Sequence, residues 1–428
     1  MAKPGSYSRR VLVVAYYFPP LGLSGVQRTL KFVKYLPQFG WHPVVLTVTP
    51  TGYYAQDYTL LDELHHQDIE IVRAGSLDPN RLFRKKGVVK MPSEPWRKVL
   101  TFMSDTLFVP DNKIGWRRKA VKAAEAVYRE KPFDCIFATA PPFTDFLIGT
   151  DLKREFNKPL VMDYRDAWHE NPFKYFPTPL HKLWNYKLEK HALRNSSRVI
   201  TTNRRVKELL LRRYKFLRYD DITILPQGFD PQDFPGPGSA PIPRSEKMRI
   251  THAGVFYGDR SPKYFLQALR KVFDTNPQTR GRIEACFVGN FHENFVKMVN
   301  TMGLESSVTL TGYLDHKHCI QYLVSSDVLW LMVNNDSQSP GKVYEYLGAR
   351  KPILACAPEG FIRETVEESQ ASVVVEPTNV DAIAAALNQL YTSFTEKKLP
   401  LPNDDVVMKY DRVKLTGELA KILSFQVD

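Results

Sequence analysis

At 428 residues the chain is longer than one ordinary core accommodates, so two domains are expected, and hydrophobic residues at 43% are ample for packed interiors. The formal net charge of +13 points to anionic partners, yet no zinc-ligand spacing or RNA-binding aromatic motif accompanies it, which sets nucleic acid last among them. No window approaches the roughly 20 apolar residues of a membrane span, so any membrane contact is expected to be peripheral.

The opening MAKPGSYSRRVLVVAYYFPP places basic residues ahead of an apolar run, as a secretory leader does. However, Val11 to Phe18 is only eight residues long and ends in Pro19-Pro20, with no small-residue cleavage site after it. It reads as a first buried strand. Further strands are expected at 42–48, 69–74, 135–140, 159–164 and 198–202, with helices over 26–37, 119–129 and 143–156. Short β-rich runs alternating with amphipathic helices are the pattern of a parallel sheet covered by helices. Residues 77–116 break this rhythm and read as an insertion or a mobile excursion.

The Pro/Gly-rich PGPGSAPIP at 235–243 marks a loop near a domain boundary. A second alternation follows, with strands expected at 248–255, 284–289, 307–312, 328–333, 352–357 and 372–377, and helices at 262–273 and 317–325. Two such sets imply an α/β chain of two doubly wound domains facing across a cleft, with ligands beyond the carboxyl ends of the strands. Cys135, Cys286, Cys319 and Cys356 show no CxxC spacing, and three lie in apolar runs. They read as reduced core residues, which favours the cytoplasm.

The charge is uneven, with twelve Lys or Arg against three acids in residues 81–122 and seven against one in 204–218. Such runs suit a solvated face, an anionic lipid surface or a polyanionic substrate. Leu82, Phe83, Trp96, Phe102, Phe108 and Trp116 are interleaved with Arg84, Lys85, Lys86, Lys90, Arg97 and Lys98. Apolar side chains so placed are expected to enter a membrane interface while the cations meet headgroups.

Two motifs bear on chemistry. In YYFPPLGLSGVQR, Gly22 and Gly25 stand just ahead of an expected helix, where backbone amides can approach an anion. A plain strand-to-helix turn fits the same residues, and no GKS or GKT makes it a Walker loop. In SPGKVYEYLGARKPILA, Pro340-Gly341 opens a helix and Glu345 follows one turn in. A carboxylate there accepts both hydrogens of a vicinal diol such as ribose, while the helix N-terminus receives the attached diphosphate. The competing reading is an exposed Lys342–Glu345 pair at i,i+3, worth only about 0.2–0.5 kcal/mol.

The order PPLGLSGVQRTLKF, DYRDAW, ILPQGFDPQDF, HAGVFYGDR, CFVG, VTLTGYL and SPGKVYEYLGARKPILA resembles the retaining GT-B glycosyltransferases of family 4, over nearly the whole chain. It is most similar to bacterial polysaccharide-type members. The resemblance implies an acceptor-binding Rossmann-like domain over 1–221, a donor-binding one over 222–411, and a last helix, about 412–428, packed back on the first. It implies transfer from a nucleotide-diphosphate sugar to a glycan or lipid-linked acceptor, with no metal and no other cofactor. D-x-D, the metal-bridging signature of the other glycosyltransferase fold, is absent. The working place it implies is cytoplasmic, with peripheral contact to the inner face of an anionic membrane.

Residue by residue, the resemblance gives Gly25 the second glycine of the amino-terminal loop, with Ser24 replacing the first. Glu345 is the second Glu of E-x7-E, which holds the ribose, and Ser337 replaces the first. Arg260 takes the place of the diphosphate Lys, while Val255 stands where an Arg is expected; Lys263 and Lys342 are the cations able to assist. Gly254 and Gly341 join the donor set. Asp166 matches the Asp of the family's His-Asp, where it would orient the acceptor hydroxyl, and Arg165 occupies the His position; with Arg260 they form the catalytic set. For Asp166 a helix cap is the alternative. The departures at Ser337, Val255 and Arg165 keep two other activities in view, epimerisation of a nucleotide sugar and non-catalytic nucleotide binding.

Overall fold

The computed structural model describes residues 9–22, 24–50, 56–64, 69–77, 94–171, 174–234, 242, 246–256, 260–334 and 340–428, without the side chains of residues 24, 94–98 and 101. The chain forms two compact units, residues 1–226 with 413–428, and residues 227–412.

The first unit runs β1 (Arg9–Val14), α1 (Ser24–Tyr35), β2 (Trp41–Val48), α2 (Thr59–Asp62), β3 (Glu70–Ala74), α3 (Glu94–Leu107), α4 (Arg117–Glu130), β4 (Cys135–Ala140), α5 (Thr144–Phe156), β5 (Leu160–Tyr164), α6 (Pro179–Asn195), β6 (Arg198–Thr201), α7 (Arg204–Arg213) and β7 (Ile222–Ile224). Its strands pair in parallel in the order β3-β2-β1-β4-β5-β6-β7. All eight residues of β2 are buried, the continuous apolar run that a strand covered on both faces requires. The division falls after Pro226 rather than after residue 221 because ITI at 222–224 is the edge strand of this sheet.

The second unit runs β8 (Met248–Ala253), α8 (Lys263–Thr275), β9 (Ile283–Val288), α9 (Glu293–Thr301), β10 (Val308–Gly312), α10 (His316–Val324), β11 (Val328–Met332), α11 (Lys342–Gly348), β12 (Ile353–Cys356), α12 (Phe361–Glu368), β13 (Ser372–Val375), α13 (Val380–Thr395) and α14 (Asp404–Met408). Its parallel sheet has the order β10-β9-β8-β11-β12-β13. Phe265, Leu266, Leu269, Val272 and Phe273 make the helical stripe by which α8 packs on Ile383, Leu387 and Leu390 of α13. Helix α15 (Arg412–Val427) returns to the first unit, burying Leu415, Leu419 and Leu423, and Trp41 Nε1 donates to Ser424 Oγ at 3.3 Å.

Several expectations change. Gly25 lies within the first turn of α1 rather than ahead of it, and the described part of residues 77–116 includes the helix α3, which the sequence reading did not place. Trp116, expected at a membrane interface, is wholly buried against Tyr16. The basic run 204–218 is largely engaged within the unit. Arg204 pairs with Glu208, Arg212 and Arg213 with Glu170, and Lys207 Nζ donates to Ile222 O at 2.7 Å. Leu82, Phe83, Arg84, Lys85, Lys86 and Lys90 lie outside the described residues, as do the side chains of Trp96, Arg97 and Lys98.

Candidate active site

In each sheet the connections reverse direction once, between β1 and β4 in the first and between β8 and β11 in the second. Ligands of such sheets bind beyond the carboxyl ends of the strands at these reversals.

In the second unit β8 and β11 pair only at Ile250–Val328 and Thr251–Leu329, and side chains bridge them beyond that point. The Tyr346 hydroxyl accepts from Ala253 N at 2.8 Å and donates to Trp330 O at 3.3 Å. His252 Nδ1 donates to the same carbonyl at 3.0 Å. Burial, with the Lys342 charge adding to it, holds the His252 imidazole well below its ordinary pKa, so the ring is neutral and its Nε2 keeps a lone pair. That lone pair lies 3.4 Å from Lys342 Nζ.

Glycines floor this region. Gly254, Gly289 and Gly312 follow or end the neighbouring strands β8, β9 and β10, at φ of +134°, +136° and +72°. A Cβ on Gly289 would come 2.6 Å from Gly254 O, and one on Gly254 would come 3.0 Å from Lys342 Nζ. Only glycine meets both the left-handed backbone and the close approach. The glycines of HAGV, CFVG and VTLTG thus share the positive φ, and those of the first two the close approach as well.

Around this floor stand the charges. Arg260 is buried just before α8, and its guanidinium, after burial itself, lowers the Lys342 ammonium to about 7. Lys263, at the first position of α8, is exposed, with Nζ 5.5 Å from the centre of the Tyr264 ring. Gly341 precedes Lys342 at the start of α11, a helix of seven residues. Glu345 is half-buried, and its Oε1 accepts from His316 Nε2 at 3.2 Å, with Asp233 Oδ2 3.9 Å from the same nitrogen. The exposed Lys342–Glu345 pair is not formed; the two side chains have separate partners. Ser337 lies outside the described residues.

In the first unit the charges hold backbone. The Arg28 guanidinium, on α1, grips Asp163 of β5 through Nε and Nη2 at 2.8–3.2 Å, and also donates to Pro226 O at 2.7 Å and Leu225 O at 3.0 Å. Thr139 Oγ1 adds a bond to Asp163 at 2.8 Å. Arg165 donates to the carbonyls of Gly25 and Pro141, tying the glycine segment to the loop after β4. Asp145, fully buried at the start of α5, accepts from Tyr16 N at 2.9 Å, and burial pushes its carboxyl well above the usual range. Asp166 is exposed in a bend after β5; the next helix begins only at Pro179 and is capped by Thr178, so a capping role is excluded.

Sequence reasoning therefore reached Gly254, Arg260, Lys342 and Glu345 but missed His252, His316 and Tyr346, which act through partners distant in the chain. Tyr346 lay inside the motif already singled out. For His252 the only signal was its place in HAGV, at a strand end.

These features meet a known family. The Glycosyltransferase Family 4 profile matches residues 24–233 and the Glycosyl transferases group 1 profile matches residues 247–393, so the chain belongs to the family 4 glycosyltransferases and is a glycosyltransferase enzyme. No curated protein sequence matches it. Among solved structures, a glycosyltransferase from Rickettsia africae ESF-5 superposes with a TM-score of 0.65 at 16% identity, over 98% of this chain and 99% of that chain. Anabaena Alr3699/HepE, solved in complex with UDP-glucose, gives 0.63 at 16% identity, over 97% and 100%. WaaG, a glycosyltransferase involved in lipopolysaccharide biosynthesis, gives 0.61 at 13%, over 97% and 99%. These likenesses establish the fold as GT-B, two Rossmann-like α/β units.

Proposed function

We propose that the enzyme moves a sugar, with retention of anomeric configuration, from a nucleoside-diphosphate sugar to a glycan or lipid-linked acceptor in polysaccharide or cell-surface glycan synthesis. The observation that carries the donor assignment is the grouping of Gly254, Arg260, Lys342 and Glu345 beyond the β8–β11 reversal, two cations and one carboxylate around a glycine floor. Anabaena HepE binding UDP and UDP-glucose supports a nucleotide donor, and the involvement of WaaG in lipopolysaccharide biosynthesis supports a glycan acceptor.

In this reading Glu345 accepts the two ribose hydroxyls, held in place by His316. Arg260 and Lys342 face the diphosphate, helped by Lys263 and by backbone at Gly341. As the bond from the anomeric carbon to the phosphate oxygen breaks, charge grows on the departing diphosphate, and fixed cations favour that change. The acceptor oxygen bonds the same face of the anomeric carbon, and its proton passes to the departing phosphate. Asp166, exposed in the first unit, is the group suited to orient that hydroxyl. Arg165 acts as a positioning residue, through Gly25 and Pro141. The reaction asks for no metal, and the expected working place is the cytoplasmic face of an anionic membrane.

The test is Glu345→Ala. Loss of a charge-assisted pair of hydrogen bonds should weaken nucleoside-diphosphate binding by roughly 1.5–3 kcal/mol in isothermal titration. Equal affinities for the two proteins would remove the ribose assignment.

A further inference from the structure

Helix α3 is inverted relative to a helix that lies on a core. Among its described side chains none is buried: Ser104 and Asp105 are half-covered, whereas Val99, Leu100, Phe102, Met103 and Leu107 are exposed, Leu107 at 70%. The first turns of α6 repeat the inversion. Asn185 and Glu189 are buried and satisfied, Asn185 Oδ1 accepting from Trp168 Nε1 at 2.9 Å and Lys174 Nζ at 2.8 Å, and Glu189 Oε2 from the Tyr214 hydroxyl at 2.8 Å. On the outside stand Leu180, Leu183 and Trp184, exposed at 46–55%.

The two apolar faces adjoin. Phe102 of α3 packs 5.7 Å from the exposed Tyr175, which leads into α6, and His181 Nε2 donates to Thr106 O at 3.1 Å. Soluble chains rarely leave contiguous apolar patches uncovered, and polar groups placed inside while leucines face out are not what water selects. Charge indicates the occupant. Lys182, Lys187 and Arg194 are exposed along α6, and its one acidic residue, Glu189, is buried.

We propose that α3 and the amino-terminal half of α6 form a single docking surface for an anionic lipid bilayer, the apolar side chains entering the interface and the α6 cations meeting the headgroups. This rests on the membrane contact proposed above and assigns it a place, away from Arg204, Lys207, Arg212 and Arg213, which the fold has already paired. An apolar face rimmed by cations is the form of a reversible interfacial anchor, in which burial of apolar area and attraction to anionic lipid add.

Vesicle flotation with phosphatidylglycerol–phosphatidylcholine and with pure phosphatidylcholine tests it, at low and high salt. The full chain should bind the anionic vesicles and lose affinity as salt rises. A Met103→Ser, Leu107→Ser, Trp184→Ser variant and a Lys182→Glu, Lys187→Glu variant should each bind at least tenfold more weakly, with nucleoside-diphosphate affinity unchanged as the check on folding. Full binding by the serine variant overturns this surface and leaves membrane contact standing elsewhere. No binding of the full chain to either vesicle, with nucleotide affinity intact, overturns the membrane contact but not glycosyl transfer. A dimer in sedimentation velocity that the serine variant abolishes would assign the face to a second copy, and also overturns the proposal.

Discussion

At the β1–β4 reversal of the first unit, Arg28, Asp163 and Arg165 are matched to short, multiple partners, two of them wholly buried. Beyond β8 and β11 of the second unit the matching is weaker. The neutral His252 imidazole at 3.4 Å is the hydrogen-bond partner of Lys342 among the described residues, and Glu345 shares one oxygen with His316. Both Rossmann-like units gather charged residues near the carboxyl ends of their strands, from different elements. In the first the charges fix where loops and the chain leading out of β7 lie. In the second they remain able to gain from an incoming anion and diol. The buried Lys342 with its lowered pKa fits the proposed binding site, whereas a saturated ion pair is architecture.

The sharpest way to break this contrast is to unmatch the first pair. Arg28→Ala leaves the Asp163 carboxylate buried without its counter-ion, and loss of one partner of a buried pair costs about 3–5 kcal/mol. Urea unfolding followed by tryptophan fluorescence should show that loss. A cost below about 1 kcal/mol would mean the pair does not hold the unit.

A smaller effect, and on rate rather than stability, is expected in the second unit. Arg260→Ala should lower kcat by about 100- to 1,000-fold, the scale of removing one preorganised charge-stabilising group, while KM changes less. Release of nucleoside diphosphate reads both constants. Normal turnover would transfer the role to Lys342 or Lys263.

The smallest effect sharpens the comparison through pH. With its pKa lowered to about 7, Lys342 in the free enzyme loses its proton as pH rises above neutrality. A bound diphosphate favours the charged ammonium, so binding takes up a proton, and affinity should fall above pH 7 by at most about tenfold per pH unit. Titration calorimetry from pH 7 to 9 should show this slope in the native enzyme and lose it in Lys342→Met. The same slope in both would place the titrating group elsewhere. By the same linkage, the unfolded chain binds more protons than the native one between about 7 and the ordinary lysine value of about 10.4, so this group adds stability as pH rises through that window.

Much of this was legible in the chain. The strand runs of both halves were found to within a few residues, because a strand covered on both faces must be apolar throughout, and β2 and β11 are. What escaped has a common cause. The edge strand β7 is only three residues long and half-exposed, too little for an apolar run to mark. Helix α6 buries polar residues and exposes leucines, so periodicity reads it wrongly.

Sequence by itself determined the family and the two α/β alternations, and it singled out the glycine, arginine and glutamate positions that the donor proposal uses, since each depends on local order and residue type. Tertiary structure alone decided which of the two aspartates of DYRDAW is architecture. Asp163 is buried against Arg28 while Asp166 is exposed three residues on, a difference set by strand direction and by a partner on another element. It also decided that His252 and Tyr346 meet at one carbonyl, Trp330 O. Sequence spacing does not encode such contacts, because the strand ends that bring these groups together are neighbours only after the sheet has formed.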